Sequence, residues 1–175
     1  MEGGADDEIG IAHNKAVLEE LKFVPRRLID VSARSLTSRF MGQERATPLV
    51  VGPTGLNGLL WPNGDRALAR AAAAEGIPFV LSTASNASIE DIAKASDGEK
   101  WFQLYVLDRE IADSLVQRAW RAGFGTLVLT VDVPLDGNRE RDARNGFNGS
   151  NIPLAKRLAW AASRPAWALR MALGP

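Results

Sequence analysis

Four short apolar runs punctuate the middle of the chain. They are Pro48-Leu49-Val50-Val51-Gly52, Pro78-Phe79-Val80-Leu81-Ser82, Trp101-Phe102-Gln103-Leu104-Tyr105-Val106 and Thr126-Leu127-Val128-Leu129-Thr130-Val131. Each is mostly continuous rather than alternating, and β-branched or aromatic residues are common. That is the pattern of strands buried on both faces. Helical patterns lie between them. Asp65 is expected to cap a helix through Leu68, Ala69 and Ala72 to Gly76. Ser88 is expected to cap a second, with Glu90 and Asp91 in its first turn, where the helix dipole favours acids. Asp108 is expected to cap a third, with Ile111, Leu115 and Ala119 on one face and Gly123 as its stop. Runs that begin at 48, 78, 101 and 126, with helices between, predict βα units in a parallel sheet with right-handed crossovers.

The flanks read differently. Residues 1–47 form a lead-in, with a helix expected over Ile11–Phe23 that Val24-Pro25-Arg26-Arg27 stops. Residues 48–134 hold the βα units. Residues 135–152, rich in Gly, Asn, Arg and Asp, read as a loop. Residues 153–175 form a basic amphipathic segment. No linker divides the chain, so residues 1–175 are expected to form a single domain, itself part of a larger one.

Composition narrows the chemistry. Lys plus Arg and Asp plus Glu are 21 each, and this balance argues against a nucleic-acid partner. The chain has no Cys, which excludes disulfides, a thiol nucleophile and thiolate-held metals. It has one His, His13, which excludes a site of several His ligands. No apolar run approaches the roughly 20 residues of a membrane span. The acidic start, Met1 to Glu8, lacks the order of a secretory signal, so the expected compartment is the cytoplasm. The charge is uneven. Residues 1–20 carry six acids and one Lys, whereas Lys156, Arg157, Arg164 and Arg170 in the last segment face no acid there.

In parallel α/β folds, ligands bind beyond the C-terminal ends of the strands. Pro53-Thr54-Gly55-Leu56-Asn57-Gly58 follow the first run, and Ser82-Thr83-Ala84-Ser85-Asn86 follow the second. The third contains Gln103 and Tyr105, and the fourth ends Thr130-Val131-Asp132. All four tips carry hydrogen-bonding side chains. The same residues also suit ordinary turns and helix caps. Gln103 and Tyr105, two apart on a strand, share a face. A Gln buried in an apolar strand needs a partner, which a ring with alternating donors and acceptors would supply. Arg139 is able to grip a carboxylate through two parallel bonds, though its segment also reads as a solvated charged loop. Gly52, Gly55 and Gly58 fit neither the dinucleotide nor the P-loop spacing.

An ordered set of motifs carries a resemblance. It comprises Gly3-Gly4-Ala5 with Asp7-Glu8, Pro25-Arg26, Pro53-Thr54-Gly55, Gly76-Ile77-Pro78, Leu81-Ser82-Thr83, Trp101-Phe102-Gln103-Leu104-Tyr105, Leu129-Thr130-Val131-Asp132 and Arg139-Glu140-Arg141-Asp142. With these, nearly the whole chain resembles the N-terminal half of the FMN-dependent 2-hydroxy acid dehydrogenases and oxidases. It is most similar to their membrane-associated branch, which includes the mandelate and L-lactate dehydrogenases. The resemblance implies a (β/α)8 barrel, here about four βα units or a half-barrel, with FMN as cofactor. It implies that Pro53, Thr54 and Gly55 lie beside the flavin and that Ser82, Gln103 and Thr130 contact its polar edge. Tyr105 and Arg139 match the family's substrate-side Tyr and Arg. The implied reaction oxidises an (S)-2-hydroxy acid to the 2-oxo acid. A His base takes the hydroxyl proton, and two electrons pass to the flavin.

Departures accompany the matches. A full barrel takes about 250 residues. The family's catalytic His, its second carboxylate-binding Arg and its flavin-contacting Lys have no counterpart, and His13 matches no catalytic position. The chain is therefore expected to be inactive alone. An alternative is a non-catalytic βα fragment that binds flavin or phosphate weakly or only assembles with another chain. A half-barrel leaves open edges, so a homo-oligomer is expected. In the basic segment, Leu154, Leu158, Ala161 and Ala162 share a helical face. They suggest peripheral contact of 153–175 with the inner face of the cell membrane; a helix packed over the barrel mouth reads equally well.

Overall fold

A computed structural model describes residues 3–132, 137–146 and 153–174. The chain divides into two compact units, residues 1–34 with 132–165 and residues 35–131 with 166–175.

The larger unit opens with an antiparallel hairpin of β1 (Ser38–Phe40) and β2 (Gln43–Arg45). Its two-residue turn, Met41-Gly42, has positive φ at both positions, 49° and 78°, as tight hairpins require. Helices α2 (Asn57–Leu60) and α3 (Gly64–Ala74) follow, then β3 (Phe79–Ser82), α4 (Ile89–Ala95), β4 (Lys100–Tyr105), α5 (Arg109–Arg121) and β5 (Thr126–Thr130). The three strands form a parallel sheet in the order β3-β4-β5. Val51 adds one parallel bridge to Phe79, so the four apolar runs lie side by side in sequence order.

The first run is shorter than its pattern implies. Only Val51 pairs, and Leu49 is exposed. Pro48 and Pro53 bracket the run, and proline donates no ladder hydrogen bond.

The helix-side face of the sheet makes the core. Phe79, Leu81, Phe102 and Leu104 pack with Phe124 against Ala69 and Ala72 of α3, Ile89 and Ile92 of α4, and Ala112 and Ala119 of α5. Each fully buried large apolar side chain contributes about 1.5–3 kcal/mol. Small alanines let the helix backbones lie close to the strands. That requirement turns α5, whose Ala112 and Ala119 are buried while Ile111, expected on the inner face, is exposed. Leu115 packs partly against the core, as expected.

Two of the three expected caps form. The Ser88 hydroxyl accepts from the Asp91 amide, and the Asp108 carboxyl accepts from the Ile111 amide. Gly76 (φ 65°) and Gly123 (φ 80°) end α3 and α5 in left-handed geometry, which suits a residue without Cβ. Asp65 does not cap. Helix α3 starts at Gly64 after a left-handed Asn63, which leaves Asp65 inside the first turn with its carboxyl engaged elsewhere.

β5 departs from its pattern. Thr126, Val128 and Thr130 are half-buried, but Leu127 and Leu129, on the face that bears Phe102 and Leu104, are about half exposed. Both stand outside the core cluster, with Leu127 beside Val116, Ala119 and Trp120 of α5.

The N-terminal end of β4 is closed by the hairpin. Trp101 stacks on Phe40 with centroids 6.0 Å apart. The Arg45 guanidinium lies 5.8 Å from the indole centroid. Arg45 also donates twice to Glu99, at 2.5 and 2.8 Å, while the Trp101 indole N–H donates to Glu99 Oε1 at 2.7 Å. The Arg45 bonds, more than the indole bond, hold the Glu99 carboxyl below its ordinary range.

The smaller unit holds α1 (Ile9–Glu20), α6 (Glu140–Arg144) and α7 (Leu154–Ser163). Helix α1 stops at Glu20, short of the expected Phe23, because Leu21 turns extended. The Gly3 amide donates to the Asp142 carboxyl at 3.2 Å, the Asp6 amide donates to the Asn138 carbonyl at 2.8 Å, and Arg141 pairs with Glu8. Helix α8 (Pro165–Leu173) begins at a proline, which suits a first helical position. No helix among the described residues is long and apolar enough to cross a membrane. Parts of the expected 135–152 loop lie outside the described residues.

Candidate functional site

The sheet face opposite the helices carries a polar row near the C-terminal ends of the strands. Ser82 ends β3, Gln103 lies within β4 and Thr130 ends β5. Alternation along the strands turns all three away from the core phenylalanines. Gln103 is 2% exposed, so its amide must be satisfied inside the protein. Its Oε1 accepts from the Ser82 hydroxyl at 3.1 Å and from the Thr83 amide at 3.2 Å. Its Nε2 donates to Thr130 Oγ1 at 2.7 Å. The partners the sequence argument sought in a bound ring are thus supplied first by neighbouring strands.

That arrangement fixes the amide's orientation. With Oε1 held by two donors, Nε2 is turned toward Thr130. One Nε2 hydrogen remains after the bond to Thr130, and the Thr130 hydroxyl still has its own to give. The row therefore offers two adjacent donors. A planar ring with carbonyl and imine acceptors along one edge suits them, and a flavin has such an edge.

Thr83 extends the row backward. Its hydroxyl donates to the Gln103 carbonyl at 2.6 Å and accepts from the Tyr105 amide at 3.1 Å. Tyr105 is half-buried on the same face as Gln103, and its hydroxyl makes no hydrogen bond among the described residues.

The loop after Val51 approaches the end of β3. Pro53 and Thr54 are exposed and Gly55 is half-buried. The Leu56 amide donates to the Ala84 carbonyl at 3.0 Å, while the Ala84 amide donates to Ser82 Oγ at 3.1 Å. A Cβ at Gly55 would stand 3.0 Å from the Ala84 Cβ, so glycine permits this approach. The structure thus gathers Ser82, Gln103, Thr130 and Tyr105 on one face and ties Pro53–Gly55 to the same strand end.

Arg139 lies in the other unit, just ahead of α6, with an exposed side chain and no guanidinium hydrogen bond among the described residues.

Sequence reasoning missed Asp65. It is 3% exposed, and its two carboxyl oxygens accept from Asn57 Nδ2 at 2.7 Å and from the Ser85 hydroxyl at 2.6 Å. The residue read as a cap because it opens an apolar-periodic stretch. The adjacent Asn63-Gly64 pair, suited to left-handed backbone, was the available sign that the helix starts earlier.

A family model described as FMN-dependent dehydrogenase matches residues 1–174. (S)-Mandelate dehydrogenase of Pseudomonas putida is 54% identical over 169 residues, 97% of this chain and 43% of that protein. L-lactate dehydrogenase of Xanthomonas campestris pv. campestris (strain B100) is 44% identical over 169 residues, 96% of this chain and 44% of that protein. The crystal structure of the monotopic membrane protein (S)-mandelate dehydrogenase aligns with a TM-score of 0.89 at 54% identity. The match covers 96% of this chain and 45% of that one. The chain thus spans less than half the length of these relatives.

Proposed function

Because the chain belongs to the FMN-dependent dehydrogenase family, we propose that it forms the flavin-facing N-terminal part of an enzyme oxidising a small (S)-2-hydroxy acid to the 2-oxo acid. The substrate class is mandelate- or lactate-like. The three strands, with the Val51 bridge beside β3, correspond to the first four strand positions of a (β/α)8 barrel. The observation that carries the reading is the Ser82–Gln103–Thr130 row with its two free donors.

FMN, when bound, supplies the two-electron acceptor. Gln103 and Thr130 donate to the acceptor edge of the ring, and Ser82 holds the Gln103 amide in the donating orientation. Pro53, Thr54 and Gly55 line its side. Tyr105 donates its hydroxyl hydrogen to developing negative charge on the substrate oxygen. Arg139 holds the substrate carboxylate through paired hydrogen bonds. None of the 175 residues matches the family's His base, so this stretch alone does not complete turnover.

The basic segment serves as a peripheral membrane contact. Leu154 and Leu158 on α7 and Trp167, Leu169 and Leu173 on α8 are exposed, beside four cations and no acid. Each of these helices, with its own cations, suits a membrane interface, here that of the cytoplasmic leaflet. The bare leucines of β5 favour self-association.

Titration of the purified chain with FMN, followed by flavin fluorescence and visible absorbance, tests the cofactor reading. Saturable binding is expected, weakened in Gln103→Leu. No uptake by the wild-type chain would overturn it. A dye-acceptor assay with mandelate or lactate is expected to show no turnover by this chain alone.

A further inference from the structure

We propose that Asp65 is a positioning residue for the cofactor site: it latches the loop carrying Thr54 and Gly55 onto the loop that leaves β3. The proposal rests on the flavin reading above but concerns a side chain outside the polar row.

Three observations converge on it. The carboxyl group of Asp65 is buried, and its oxygens take one bond each from Asn57, at the start of α2 where the first loop ends, and from Ser85 in the second loop. The Asn57 amide that donates to Asp65 also reaches the Thr54 carbonyl at 3.2 Å, so the bond extends to the peptide beside Gly55. Two further bonds bridge the same loops, Leu56 amide to Ala84 carbonyl and Gly58 amide to Asn86 Oδ1, each at 3.0 Å.

The first loop needs such a hold. Leu56 sits in the left-handed region, with φ 59°. A non-glycine residue adopts it at a cost that surrounding contacts must offset, and Leu has no side-chain hydrogen bond to help. Pro53 and Thr54 are exposed, so packing contributes little there. Asp65 stands on α3, whose Ala69 and Ala72 are in the core. The carboxyl therefore transmits the rigidity of the sheet–helix layer to a loop that has little of its own. In Asp65→Asn, one oxygen becomes a donor, and the two loops no longer find acceptors on both sides. Ser85→Ala cuts one arm, whereas Ser85→Thr keeps the hydroxyl.

The test is amide hydrogen exchange on the 175-residue chain, with FMN titration alongside. In Asp65→Asn and Ser85→Ala, exchange at Leu56 and Gly58 is expected to accelerate at least tenfold. Phe102 and Leu104 in β4 should keep their protection, and Ser85→Thr should match wild type. The FMN dissociation constant is expected to rise at least fivefold in Asp65→Asn, with a changed visible spectrum of the bound flavin. Protection at Leu56 and Gly58 that is unchanged, or that falls in step with β4, overturns the latch. FMN bound equally, with the same spectrum, by wild type and Asp65→Asn overturns the positioning role alone. A wild-type chain that takes up no FMN overturns instead the cofactor reading beneath it.

Discussion

Gln103 and Thr130 stand on neighbouring parallel strands, joined by a 2.7 Å bond from the amide Nε2 to the hydroxyl oxygen. The amide is almost wholly buried, while the threonine is half open. Replacing Gln103 with Leu leaves the Ser82 hydroxyl short of an acceptor, whereas the Thr83 amide keeps the Gln103 backbone carbonyl at 3.1 Å. Stability should fall by about 1–3 kcal/mol. Urea unfolding of the two chains reads this directly, and equal midpoints would contradict it.

Acid should weaken the joint between α4 and α5. Arg118 donates to both Glu90 oxygens, at 2.9 and 2.8 Å. Chiefly through these bonds, the Glu90 carboxyl drops from 4.5 to about 2. A depressed folded-state value means the pair favours folding fully above the ordinary carboxylate range. Its contribution fades as pH falls from about 4.5 toward about 2. Both side chains are exposed, so the effect is small. The urea midpoints of wild type and Arg118→Gln should differ at pH 6 and converge near pH 2; a constant gap would refute the assignment.

Gly98 is a packing constraint. A Cβ there would stand 2.5 Å from the Ala73 Cβ and 2.9 Å from its Cα. Gly98→Ala should therefore push α3 away from the loop before β4 and cost about 1–3 kcal/mol. Thermal unfolding checks this, with Gly52→Ala, which meets no atom within 4 Å, as the comparison.

The tail reading predicts salt-sensitive membrane binding. The chain should co-sediment with anionic vesicles at low salt and much less with neutral ones. Leu158→Glu should reduce binding by placing a charge on the apolar face of α7. Binding that ignores both the lipid charge and the substitution would count against the proposed interface.

Much of the sheet was legible in the apolar runs. Continuous β-branched and aromatic stretches demand burial, and β3 and β4 meet that demand. Ser88 and Asp108 were legible because a cap is a local bond three residues long. What escaped depends on tertiary partners. β5 carries the same kind of run as β4, yet Leu127 and Leu129 stay about half exposed, outside the core cluster. Gln103 was recognised as needing a partner, but its parallel neighbours supply it, and strand register is not written in a single run. Asp65 failed for a similar reason. An acid near a helix start satisfies the same local pattern whether it caps or ties two loops together.

The closure of β4 by the hairpin has a practical consequence for every measurement above. Of the five tryptophans, Trp101 alone is buried, at 5% exposure, whereas Trp61, Trp120, Trp160 and Trp167 range from 38% to 77%. Its emission should therefore be the bluest in the folded chain and shift furthest to the red on denaturation. Trp→Phe replacement of Trp101 would isolate it by difference as an intrinsic optical gauge. Because it sits toward the opposite end of β4 from Tyr105, it would report loosening of the strand base independently of events at the ligand end.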